Sequence, residues 1–136
     1  MEKNELNTEA KILQAANSIF LLFGYHGTTI HQIAIKANVQ TAAIHYYFRS
    51  KEKLYLRVVE NVFDLILSVE NMPVTNRKQF EKCGWFLFTE LYNNDELFER
   101  TVEELYQDEC GKKISEIKKW LASSANLKSI FPENTE

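Results

Sequence analysis

The chain has 136 residues, 45% of them apolar and 26% charged, with only four glycines and two prolines. That balance suits a globular helical protein with a real core and disfavours a strand-rich fold. Net charge is −3, but residues 1–60 hold 7 Lys/Arg against 5 Asp/Glu plus all three histidines, whereas residues 61–136 hold 9 against 14, so any partner that prefers positive charge meets it at the N-terminal end.

Met1-Glu2-Lys3-Asn4-Glu5 leads straight into a helical pattern with no apolar signal core behind it, and the apolar stretch around residues 58–69 is broken by Glu60, Asn61 and Asp64. Neither is a targeting or spanning segment, and a cytoplasmic location is expected. Cys83 and Cys110 are isolated and are expected as buried thiols rather than a disulfide or zinc ligands.

Thr8 is positioned to cap a first helix, whose stripe Ile12, Ala15, Ala16, Ile19, Phe20 and Phe23 ends at Gly24. Gly27 permits a turn. Thr29 and Gln32 have capping-box spacing ahead of a second helix carrying Ile30, Ile33, Ala34 and Ala37. Asn38 tolerates the left-handed conformation and separates that helix from a short third one, from about Thr41 to Tyr47, with Gln40 a weak cap. Two short helices about a tight turn, with small Ala34 allowing close approach, read as a helix-turn-helix.

Ser50 caps a long fourth helix bearing Leu54, Val58, Val62, Leu65, Ile66 and Val69. Asn71 to Asn76, with Pro73, forms the clearest break. A fifth helix near residues 77–92 is apolar on several faces, which predicts burial on several sides. Asn93 or Asn94 caps a sixth helix with Leu97, Phe98, Val102, Leu105 and Tyr106, whose acidic outer face of Glu103, Glu104, Asp108 and Glu109 is expected in solvent. Ile114, Ile117 and Leu121 mark a seventh helix, and residues 127–136 read as a tail with Ile130 and Phe131.

On the third helix Ile44 and Phe48 share a face, so Thr41, Ala42, His45 and partly Tyr46 point outward. Small residues followed by hydrogen-bonding ones suit a helix whose N-terminal half approaches base edges in a major groove. Lys51 occupies the first position of the fourth helix, where the macrodipole disfavours a cation by roughly 0.3–1 kcal/mol. A DNA phosphate there would meet free backbone amides, the Ser50 hydroxyl and the Lys51 ammonium together.

Gly27-Thr28-Thr29, Ile33-Ala34, Ala37-Asn38-Val39 and Ala43-Ile44-His45-Tyr46-Tyr47-Phe48-Arg49-Ser50-Lys51-Glu52-Lys53-Leu54, a dense pattern within about residues 10–60, resemble the TetR family of transcriptional repressors. The resemblance implies an all-α protein with a three-helix DNA-binding head, residues 1–50, and a helical effector-binding body, residues 51–136, working as a homodimer. It implies that Thr41, Ala42, Ala43 and His45 face bases, with His31 near the groove, and that Thr28, Thr29, Tyr46, Tyr47 and Lys51 hold phosphates. The chain departs from the family pattern at Asn38, where glycine is common, at Gln40, where serine is common, and at His45, where tyrosine is frequent. The last C-terminal helices, which the family uses to dimerise, are absent from the seven-helix pattern.

Phe80, Trp85, Phe86, Phe88, Tyr92, Phe98, Tyr106 and Trp120 give the body an excess of rings. Core packing is one reading. The other, implied by the resemblance, is a pocket for a small planar or hydrophobic effector among the fourth to seventh helices, with Trp85, Phe86, Phe88, Tyr92, Phe98 and Tyr106 as its lining. No metal site, cofactor motif or catalytic constellation is expected, the histidines lacking Cys or carboxylate neighbours at ligand spacing. The sequence therefore predicts a DNA-binding transcriptional regulator, a repressor released by a small hydrophobic effector; the alternative is a helical protein-interaction module whose helix-turn-helix no longer binds DNA.

Overall fold

The computed structural model describes residues 2–67, 77–93 and 96–122. These form α1 (Glu2–Phe23), α2 (Ile30–Ala37), α3 (Thr41–Phe48), α4 (Lys51–Leu67), α5 (Arg77–Tyr92), α6 (Glu96–Tyr106) and α7 (Cys110–Ala122), with a 3-10 turn at Gln107–Glu109 between the last two. The all-helical class matches the expectation. No helix of the described residues is long and apolar enough to cross a membrane. The chain divides into two compact units, Met1–Val58 and Val59–Glu136, a division that falls inside α4. The expected break at residues 71–76, the cap at Asn94 and the tail at 127–136 lie outside the described residues.

In the first unit α1 reaches back to Glu2, so Thr8 lies within the helix and does not cap it. The physical reason is that residues 2–7 contain no glycine or proline to break the helix. Ile12, Ala15, Ala16 and Phe20 are buried as the stripe predicts. Phe23 is on that face by spacing but, in the last position of α1, is 52% exposed. Gly24 ends the helix at φ 76, and its amide donates to the Phe20 carbonyl at 2.7 Å, a left-handed stop that glycine adopts without strain. At Gly27 an added Cβ would collide with the Phe23 carbonyl oxygen, which is why the turn into α2 has no side chain there.

Ile33, Ala34 and Ala37 of α2, Ile44 and Phe48 of α3, and Leu54, Tyr55 and Val58 of α4 complete the core of this unit. Burying such side chains is worth roughly 1.5–3 kcal/mol each for the larger ones, and that is what clamps two helices of eight residues, each too short to be stable alone.

The second unit buries Val59, Val62, Phe63 and Ile66 of α4, Cys83, Phe86 and Leu87 of α5, Phe98 and Val102 of α6, and Ile117 and Leu121 of α7. The expectation that α5 is buried on several sides is corrected. Its core face is formed by Cys83, Gly84, Phe86, Leu87 and Glu90, whereas Trp85 is 47% and Tyr92 77% exposed. Glu103, Glu104, Asp108 and Glu109 are exposed, as their pattern predicts. Cys83 is buried, and burial pushes its thiol up to about 12; Cys110 is only half-buried.

Candidate nucleic-acid interface

The site is assembled by local hydrogen bonding around two short helices. Thr29 sits in extended conformation and its hydroxyl accepts from the Gln32 amide at 3.0 Å, while the Gln32 side chain accepts from the Thr29 amide at 2.8 Å. This is the capping box that the spacing predicts, and it satisfies one donor at each end of the first turn of α2. Asn38 adopts φ 61, ψ 48, with its amide donating to Ile35 at 3.1 Å and that of Val39 to Ala34 at 3.0 Å. Those two bonds close α2 in a Schellman motif and turn the chain sharply into α3. Gln40 makes no side-chain cap bond, as expected of a weak cap.

Across α3 the side chains sort by direction. Ile44 and Phe48 are buried; Thr41, Ala42, His45 and Tyr46 are exposed; Ala43 and Tyr47 are half-buried. Tyr46 is 77% exposed and meets Tyr47 edge-on at 4.9 Å. The Nδ1 of His45 lies 3.3 Å from the Arg49 carbonyl oxygen. With its proton on Nδ1 the ring donates to that carbonyl and presents Nε2 outward as an acceptor. His31 is exposed in the first turn of α2.

Arg49 joins α3 to α4 at φ 77, ψ −52, with the Ser50 amide donating to the Phe48 carbonyl at 2.8 Å. These are the marks of the positive-φ γ-turn, a strained conformation for a side-chain-bearing residue. It aims Ser50 at α4, where the Ser50 hydroxyl accepts from the Lys53 amide at 3.1 Å. Lys51 stands at the first helical position, as predicted.

The phosphate-facing set needs one correction. Thr28 is fully buried, and its hydroxyl donates to the Gly24 carbonyl at 2.7 Å, with the Ile19 carbonyl at 3.4 Å, so its side chain braces the turn and does not reach a phosphate. Thr29 is exposed, and its hydroxyl, used as an acceptor by the cap, keeps its own proton for an outside acceptor.

Sequence reasoning missed Tyr25, in the turn between α1 and α2. Its ring lies under the Lys51 ammonium, 4.0 Å from Nζ to centroid. A turn residue carries no periodic signal; the only hint is a ring set between Gly24 and Gly27. Trp85, Phe88 and Tyr92 stack along the outer side of α5, at 6.3 and 5.2 Å between successive centroids. Phe86 is in the core, while Phe98 and Tyr106 both meet the ring of Phe63, at 6.2 and 5.5 Å.

Two short helices about the Asn38 turn, braced by α1 and continued into α4 through Ser50, define a helix-turn-helix protein. Residues 12–58 match the model of the bacterial regulatory proteins of the tetR family. An HTH-type transcriptional regulator near lacX of Lactococcus lactis is 30% identical over a 138-residue alignment, which covers 83% of this chain and 69% of that protein. RutR of Escherichia coli K12, also an HTH-type transcriptional regulator, is 46% identical over 57 residues, 42% of this chain and 27% of RutR. IcaR of Staphylococcus epidermidis, a negative transcriptional regulator of the biofilm operon icaADBC, is 28% identical over 88 residues, 65% of this chain and 48% of IcaR. The chain thus matches about a quarter of RutR and half of IcaR, and it belongs to the tetR family.

Proposed function

We propose that the protein is a DNA-binding transcriptional regulator, acting in the cytoplasm as a repressor that a small hydrophobic effector releases. The observation that carries this reading is the division of α3: Ile44 and Phe48 anchor it, and the opposite side offers Thr41, Ala42 and His45 to solvent. In the major groove the small residues let the helix backbone approach, and His45 reads a base edge with the half-buried Ala43 close behind. His31 approaches the same groove from α2. Thr29, Tyr46, Tyr47 and Lys51 hold phosphates, Lys51 together with the first amides of α4.

A homodimer would set two such heads on a two-fold operator. The negative regulation named for IcaR supports repression. For the effector, the rings of Phe98 and Tyr106 around Phe63 are the part of the predicted lining that supports the reading. An effector acts here only through a higher affinity for one state of the dimer than for the other.

The test is duplex-DNA binding by the full chain across a salt series, with Lys51→Ala beside the unaltered protein. Loss of one phosphate contact weakens binding to all sequences and lowers the log–log salt slope by about one. A slope that does not change removes Lys51 from the phosphate set.

A further inference from the structure

Tyr25 lies in the turn between α1 and α2, and other rings fix it there. It stacks 6.2 Å from Phe20, meets Tyr55 edge-on at 4.9 Å and meets His26 edge-on at 5.2 Å. Phe20 and Tyr55 are themselves fully buried and in edge contact at 5.3 Å, so the platform under Tyr25 belongs to the core of the first unit. Over its face sits the Lys51 ammonium at 4.0 Å, within the range at which the negative face of an aromatic ring attracts a cation.

That position needs an explanation. Lysine at the first position of a helix meets the positive end of the dipole, and its four-carbon stem has many rotamers through which to swing away. The partly buried Lys51 instead lies against the Tyr25 ring, its pKa lowered by desolvation. An ammonium has three N–H donors, and lying against a ring face leaves donors for an anion on the open side.

We infer that Tyr25 is a positioning residue: its ring face holds the Lys51 ammonium in one place, so that a phosphate docking at the start of α4 meets a cation already fixed. The consequence for DNA rests on the function proposed above, whereas the hold itself is a property of the free protein. Fixing a flexible lysine in advance removes part of the ordering cost that binding otherwise meets. The phenol hydroxyl has no part in this, which separates Tyr25 from a residue that contacts DNA itself.

Two readouts test it on the full chain. In NMR spectra of the free protein the Lys51 Cε protons should be shifted upfield by the ring current of Tyr25, retained in Tyr25→Phe and lost in Tyr25→Leu. In duplex binding Tyr25→Phe should match the unaltered protein, Tyr25→Leu should weaken binding about two- to fivefold, and Tyr25→Leu should have no further effect in a Lys51→Ala background. Unshifted Lys51 protons overturn the inference. So does equal weakening by Tyr25→Leu with and without Lys51, which marks a merely structural role. If the unaltered protein retains no duplex while its Lys51 protons are shifted, the DNA-binding reading falls and the hold on Lys51 stands. Because the shift is read on the unaltered chain and on Tyr25→Phe, the outcome is decided even if Tyr25→Leu does not fold.

Discussion

The Thr28 hydroxyl donates to the Gly24 carbonyl at 2.7 Å from a fully buried position, tying the end of α1 to the start of α2. In sequence Thr28 and Thr29 look alike; in space one is a brace and the other a cap. Thr28→Val keeps the shape and removes the bond, and is expected to lower unfolding free energy by about 1 kcal/mol, read from a urea midpoint. Its salt slope for duplex binding should equal that of the unaltered protein. A slope reduced by about one would return Thr28 to the phosphate contacts.

Asn38 turns the chain in the left-handed region at φ 61. Glycine adopts that region freely, so Asn38→Gly should unfold within a few tenths of a kcal/mol of the unaltered protein. A β-branched residue is strained there, and Asn38→Val should lose about 1–2 kcal/mol. Equal melting of the two variants would contradict the role given to this turn.

Arg49 holds φ 77 between α3 and α4. Replacing it by glycine and by alanine removes the same side chain but relieves the backbone only in the first case. Arg49→Gly should therefore exceed Arg49→Ala in stability by about 1 kcal/mol, strain relief being partly offset by the greater freedom of the unfolded glycine chain. Alanine melting at or above glycine would show that the turn relaxes.

Burial first, then the charges of Asp64 and Glu60, push the Tyr106 phenol from 10.0 up to about 12. The folded state therefore keeps its proton to higher pH than the unfolded state does. This contribution to stability is complete below pH 10.0 and is lost as pH rises toward about 12. Tyr106→Phe cannot ionise, so stability measured across that window should fall less steeply in the variant; an identical fall would count against the burial of the phenol. Cys83 contributes a fall of the same sign above its ordinary 9.0.

The first unit was legible because its signals are local. Thr29 with Gln32, Asn38 at the turn, Ser50 before Lys51, and the spacing of Ile44 and Phe48 each declare a cap, a turn or a face within a few residues. Thr28, Tyr25 and Arg49 were not, because what decides them is distance in space. A buried hydroxyl needs to find Gly24, a turn ring has no period, and nothing in the letters marks an arginine at positive φ. In the second unit composition shows many rings but not their directions. Trp85, Phe88 and Tyr92 recur at helical spacing on the side of α5 away from Cys83 and Leu87, and only the core face tells the two sides apart.

Selection of duplexes from a random pool by the full chain, followed by the same selection with His45→Ala, decides whether α3 reads bases. The unaltered protein should enrich a discrete sequence, with affinity falling as salt rises, and His45→Ala should lose preference at a defined base position at a cost of ~1–3 kcal/mol. No duplex retained even at low salt, or an enrichment that His45→Ala leaves unchanged, would contradict base readout by α3.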